Sequence, residues 1–108
     1  MPWLDYLAYF FGGAFLANTV PHFVAGVSGR PFQSPFARPP GQGLSSSTIN
    51  VAWALFNLIL GYLLVLRVGN FDLRDAGDAV ALGLGIAFLS FITARRFGRL
   101  NGGNTPQG

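Results

Sequence analysis

The chain of 108 residues has no cysteine, no lysine and no glutamate, one histidine, and few charges of either sign. The absence of cysteine excludes disulfides, thiolate metal sites and cysteine nucleophiles. A single histidine and four aspartates offer no metal-spaced His cluster, no paired carboxylates and no catalytic triad. Charged residues make up 10% of the sequence, against about 25% in a soluble domain. A water-facing surface cannot be built from so few charges, so lipid is the expected solvent for much of the chain. Every basic residue is Arg and every acid is Asp. The net charge of +3 and pI near 10.2 raise nucleic acid as a partner. The arginines, however, flank apolar runs and form no patch, which points to membrane lipids and membrane topology and not to nucleic acid. The start, Met1-Pro2-Trp3-Leu4-Asp5, is acidic where a signal peptide needs a basic region, so none is expected.

What the chain does have is apolar length. Residues 3–25, 48–68 and 79–92 form three runs, and a hydrocarbon core of roughly 30 Å needs about 20 residues of helix. The predicted fold class is all-α, a small bundle of three transmembrane helices in one domain over residues 1–100, with a disordered tail over 101–108. Trp3, Tyr6 and Tyr9 suit an interfacial aromatic belt. Asp5 lies beside them and is read as interfacial. Pro21 removes a backbone hydrogen bond and is expected to kink or end the first helix near Val20. The long loop from about residue 26 to 46 is rich in Pro and Gly. Ser45, Ser46 or Ser47 is expected to cap the second helix, and Asp72 or Asp75 the third. Gly98 is a candidate terminator of the third.

Three crossings place the loop and the tail on one side, with Arg30, Arg38, Arg95, Arg96 and Arg99. The other side holds Arg67 and Arg74. Positive charge prefers the cytoplasmic face, so the N-terminus is expected outside and the C-terminus in the cytoplasm of a bacterial inner membrane. Antiparallel pairing of the first two helices, with equal rise, makes facing positions sum to about 73. His22 then lies one residue from Asn50, Asn18 lies between Ala54 and Asn57, and Gly12 and Gly13 lie level with Gly61 and Leu60.

These pairings nominate Asn18, His22, Asn50 and Asn57 as a polar cluster. Polar groups inside a membrane are costly and mark function or interhelical hydrogen bonding. His22 has three open readings: donation to Asn50 or to a carbonyl freed by Pro21, ligation of a haem- or chlorophyll-type pigment, or proton or substrate handling. Arg30, Phe32, Phe36 and Arg38 form a loop segment suited to lipid head groups or a docked partner, since two Pro-Phe pairs alternate with two arginines. Ala79, Gly83, Ala87 and Ser90 form a small-residue ridge that lets another helix approach closely, as do Gly12, Gly13 and Gly61.

The run Asn18-x-x-Pro21-His22-Phe23-x-x-Gly26-x-x-Gly29-x-Pro31-Phe32-x-x-Pro35-Phe36-Ala37 resembles small bacterial integral membrane proteins of about this length. There is a fainter resemblance to the small four-helix membrane proteins of the DoxX type. The first resemblance implies a membrane location and brings no activity with it. Small multidrug exporters have a similar length, but a membrane-embedded Glu is expected in their first helix, and this chain has none. The expected function is a non-enzymatic accessory or structural subunit without cofactor or metal, packing with itself or with a larger membrane complex. The alternatives are a transporter or channel lined by Asn18, His22, Asn50 and Asn57, and a pigment-binding subunit using His22.

Overall fold

A computed structural model describes residues 2–105. Among them the chain forms three helices, α1 (Pro2–Val27), α2 (Ser47–Leu66) and α3 (Ala76–Asn101), and one antiparallel pair, β1 (Phe32–Gln33) with β2 (Leu44–Ser45). All three helices are long and apolar enough to cross a membrane. The 26 residues of α1 make a rod of about 39 Å at 1.5 Å per residue.

α1 is the centre. It packs against α2 on one side and α3 on another, while α2 and α3 barely touch. Two consecutive glycines make this possible. A methyl group on Gly12 would meet Val65 and the Gly61 carbonyl of α2; one on Gly13 would run into the Leu82 backbone of α3. Neighbouring helical positions point about 100° apart, so each glycine serves a different helix. Of the two glycines expected level with Gly61 and Leu60, only Gly12 turns to α2. Gly61 faces Gly12 and Leu16, as the register arithmetic requires.

Two expectations about helix ends are also corrected. α1 runs unbroken through Pro21 to Val27. The turn beyond the proline is held by packing: Ala25 and Gly26 are buried, and a methyl on Gly26 would collide with Val51. α3 spans 76–101 and not 79–92, passes through Gly98, and ends on Gly102 in the left-handed region at φ 80°. Its last turns carry Arg95, Arg96 and Arg99, and positive charge there suits the helix dipole. Of the expected tail, Asn101 is still helical. Gly102–Thr105 turn back so that the Asn104 amide approaches the Ala94 and Arg95 carbonyls, and 106–108 lie outside the described residues.

The caps follow simple chemistry. Ser46 Oγ accepts the Ile49 N–H at 3.2 Å, and Asp75 Oδ1 accepts the Asp78 N–H at 3.0 Å. Asp72 instead accepts from the Arg74 N–H at 2.9 Å. The core is small and partly polar: Tyr9, Asn50, Asn57 and Ser34 are the largest fully buried side chains. Large apolar side chains such as Leu55, Phe56, Ile59, Phe88 and Phe91 face outward. That inversion of the soluble pattern fits a chain whose solvent is hydrocarbon.

Candidate polar site under the hairpin

The loop expected after α1 is present as an ordered cap, and the short β1–β2 pair in it is a feature that the all-α expectation did not include. Ser34 Oγ and Ser45 Oγ share a hydrogen bond of 2.5 Å, and Ser34 Oγ also accepts the Phe36 N–H at 3.1 Å. Two bonds between amides, Gln33 Nε2–H to Asn101 Oδ1 at 2.9 Å and Asn101 Nδ2–H to Gln33 Oε1 at 3.3 Å, tie the cap to α3. Arg96 adds a third tie by donating to the Gly41 carbonyl at 3.0 Å. The cap therefore rests on α1 and on the end of α3.

Beneath it, Asn50 is completely buried and joins three parts of the fold. Its Nδ2 donates to the carbonyls of Phe32 at 3.1 Å, Ser45 at 3.2 Å and Ser46 at 3.1 Å. Three carbonyls around one end of the amide fix its orientation, because only the NH2 end can donate. The Oδ1 end therefore faces His22 Nδ1 at 2.7 Å, and His22 Nδ1–H is the donor. His22 is 3% exposed and ringed edge-on by Phe32, Trp53 and Phe97, with centroids at 5.5, 6.3 and 6.2 Å.

One to two turns deeper, Asn18 Nδ2–H donates to Asn57 Oδ1 at 3.1 Å, and Asn57 Nδ2–H donates to the Trp53 carbonyl at 2.7 Å. Asn50 and Asn57 are wholly buried. The four polar candidates are thus brought together as two pairs between α1 and α2. Trp53 sits between the pairs, and its Nε1–H is buried without a partner. Sequence reasoning did not single out Trp53, yet positions 50, 53 and 57 share one helical face, a signal that was present. Arg96 and Gln33 were likewise not assigned to this region.

The other candidates fall differently. Phe32 turns inward onto His22 and Phe97, at 4.8 Å from the latter ring, so it belongs to the interior and not to a docking loop. Phe36 is 63% exposed and lies edge-on to Trp53 at 5.2 Å. Arg30 and Arg38 are exposed. The Ala79–Gly83–Ala87–Ser90 ridge makes no helix contact within the chain at Gly83, where an added methyl meets nothing within 4 Å. α3 instead meets α1 through Gly85, where a methyl would strike the Phe10 backbone.

Two cavities adjoin the polar pairs. One, of about 180 Å³, lies under the cap and is lined by His22, Ser34, Trp53, Thr93, Arg96 and Phe97 among others. The second, of about 290 Å³, is apolar, with Phe10, Phe11, Phe15, Phe88 and Leu89, and shares Asn18 and Trp53 with the first. Among the described residues no group of three or more His, Cys, Asp or Glu side chains could hold a metal ion. No known family model, curated protein or solved structure matches the chain.

Proposed function

We propose that the protein is a small integral membrane subunit that works by packing, with a second copy of itself or within a larger membrane complex, and not by catalysis. The observation that carries this reading is the outward face of α3. On that face Gly83, Ala87 and Ser90 are exposed, and a methyl on Gly83 would meet nothing within 4 Å. In lipid, helices associate where small residues let backbones approach closely, because hydrocarbon gives no hydrophobic drive of its own. A ridge unused inside the chain is therefore available to another helix.

The orientation that goes with this reading has the N-terminus outside and the C-terminus in the cytoplasm of a bacterial inner membrane. Its support is the grouping of five of the seven arginines at the loop and α3 end. A transported path along Asn18, His22, Asn50 and Asn57 has less support, because these groups are bonded to each other. The pigment reading has less support too. The cavity beside His22, about 180 Å³, is smaller than the roughly 300 Å³ at which small-molecule sites begin.

Because the chain has no cysteine, single substitutions report cleanly. Gly83→Cys is expected to crosslink, either to a second copy or to a larger partner, in native membranes. Native mass spectrometry in mild detergent is expected to show a species above the monomer. A strict monomer with an uncrosslinked Gly83→Cys would overturn the reading. Impermeant maleimide on whole cells is expected to label Asn70→Cys and not Ser28→Cys.

A further inference from the structure

We propose that a groove between α1 and α3 holds one acyl chain of an anionic membrane phospholipid, with the phosphate of its head group on Arg30. The groove has a volume of about 550 Å³, within the range of small-molecule sites. Its walls are mostly apolar, with Val20 and Val24 from α1 and Ile86 and Phe97 from α3. Arg30 is the one charged residue among the described residues that line it. Arg30 is exposed, its backbone N–H goes to the Ala25 carbonyl at 2.9 Å, and its guanidinium has no ion pair or hydrogen bond among the described residues.

Length decides what fits. The lining residues of α1 begin at Ala17, ten residues before the helix ends at Val27, which is about 15 Å at 1.5 Å per residue. On α3 they run from Ile86 to Phe97, about 16 Å. A hydrocarbon core of roughly 30 Å gives each leaflet about 15 Å. The groove thus spans the depth of one leaflet and ends near mid-membrane, with Arg30 at the end where head groups lie. A second transmembrane helix needs a seam across both leaflets, with small residues where the backbones approach. Here the walls carry branched and aromatic side chains over half that depth, which suits a lipid chain and not another helix.

Charge decides which lipid. Arg30, Arg38, Arg95, Arg96 and Arg99 lie at the loop and α3 end, whereas Asp5, Asp72, Asp75 and Asp78 lie at the other. No aspartate offsets the arginines, and basic residues at a bilayer surface attract anionic head groups. A guanidinium also matches phosphate oxygens bidentately. Phosphatidylcholine carries a phosphate too, but its ammonium group meets the same arginines. The inference does not rest on the packing role, since bound lipid is counted on every oligomeric species, the monomer included.

The test is native mass spectrometry of the full chain released from nanodiscs of equimolar phosphatidylglycerol and phosphatidylcholine with identical acyl chains. One phosphatidylglycerol per chain is expected to stay bound, favoured at least fivefold over phosphatidylcholine. Arg30→Gln is expected to cut that preference about fivefold, the share of one arginine at a bilayer surface. Arg74→Gln, at the other end, is expected to leave it unchanged. Val24→Trp fills the groove and is expected to release the lipid. Phe91→Trp, at a 74% exposed position outside the groove, is expected to keep it. Both tryptophan variants are expected to retain full helix content by circular dichroism. Equal retention of the two lipids would overturn the proposal. So would an unchanged preference in Arg30→Gln, or a Val24→Trp variant that keeps its lipid. A lipid-free dimer crosslinked through Val24→Cys would overturn it in favour of a second copy in the groove.

Discussion

Replacing Asn50 by leucine tests the account of the cap most severely. Leucine matches asparagine in shape but offers no hydrogen bond. Asn50→Leu removes donation to the Phe32, Ser45 and Ser46 carbonyls and the acceptor for His22 Nδ1–H. The Ser46 carbonyl keeps the backbone N–H of position 50 at 3.0 Å, so three bonds are lost without replacement. At about 1 kcal/mol each, plus about 1–3 kcal/mol for the stranded imidazole N–H, the cost is about 4–6 kcal/mol. That is a large share of the roughly 5–15 kcal/mol that holds a domain folded. His22→Phe loses one of these bonds and strands one amide oxygen, so its cost on the same scale is about 2–4 kcal/mol. Asn18→Leu breaks one interhelical amide bond, worth about 0.6 kcal/mol in a membrane. The order Asn50→Leu, then His22→Phe, then Asn18→Leu is the expected result. It is read from the sodium dodecyl sulfate fraction that unfolds each variant in mixed micelles, followed by circular dichroism. Amide exchange over residues 28–46 should rise most in Asn50→Leu. If Asn50→Leu unfolds no more easily than His22→Phe, the view of Asn50 as the joint between cap and helices is wrong.

Two further perturbations separate the faces and the ties. Gly85→Ala is expected to destabilise by about 1–3 kcal/mol through overpacking against the Phe10 backbone. Gly83→Ala on the same helix meets open space and should leave the folded monomer within about 0.5 kcal/mol, as expected of a surface position. Micelle unfolding of the pair checks both, and equal effects would contradict the packing face assigned to α3. Gln33→Ala and Asn101→Ala, singly and together, should show a coupling of about 0.5–1.5 kcal/mol in a double-mutant cycle, since each amide serves the other. Additive losses would mean that the tie between cap and α3 is not a working contact.

Much of this arrangement was legible in the sequence, and the reason is geometric. Two antiparallel helices with equal rise fix which residues lie level, so a reading of 18 between 54 and 57, 22 one residue from 50, and 12 against 61 follows once the turn is placed. What escaped that reasoning involves a third body. Gly13 faces α3 because α1 is flanked twice, and one register calculation handles one pair of helices. Pro21 fails to end α1 because packing beyond it outweighs one missing hydrogen bond. The β1–β2 pair is two residues long on each side, too short for any alternation of apolar and polar residues to show. Phe32 and Phe36 looked alike in their Pro-Phe repeat. Only the folded cap reveals that one fills the interior beside His22 and the other lies outside over Trp53. The ridge on α3 follows from helical periodicity, but periodicity cannot say which face meets α1, and Gly85, on another face than Gly83, does so.

The near absence of contact between α2 and α3 has a mechanical consequence. The two behave as leaves bound to one spine, so a push on one leaf reaches the other only along α1, through the short link at one edge, or through the cap at the other edge. The link is nine residues of backbone, 67–75, whereas the cap is fastened to α3 by amide and guanidinium bonds. Separating the leaves at that edge therefore requires breaking the bonds that join residues 33 and 101 and residues 41 and 96.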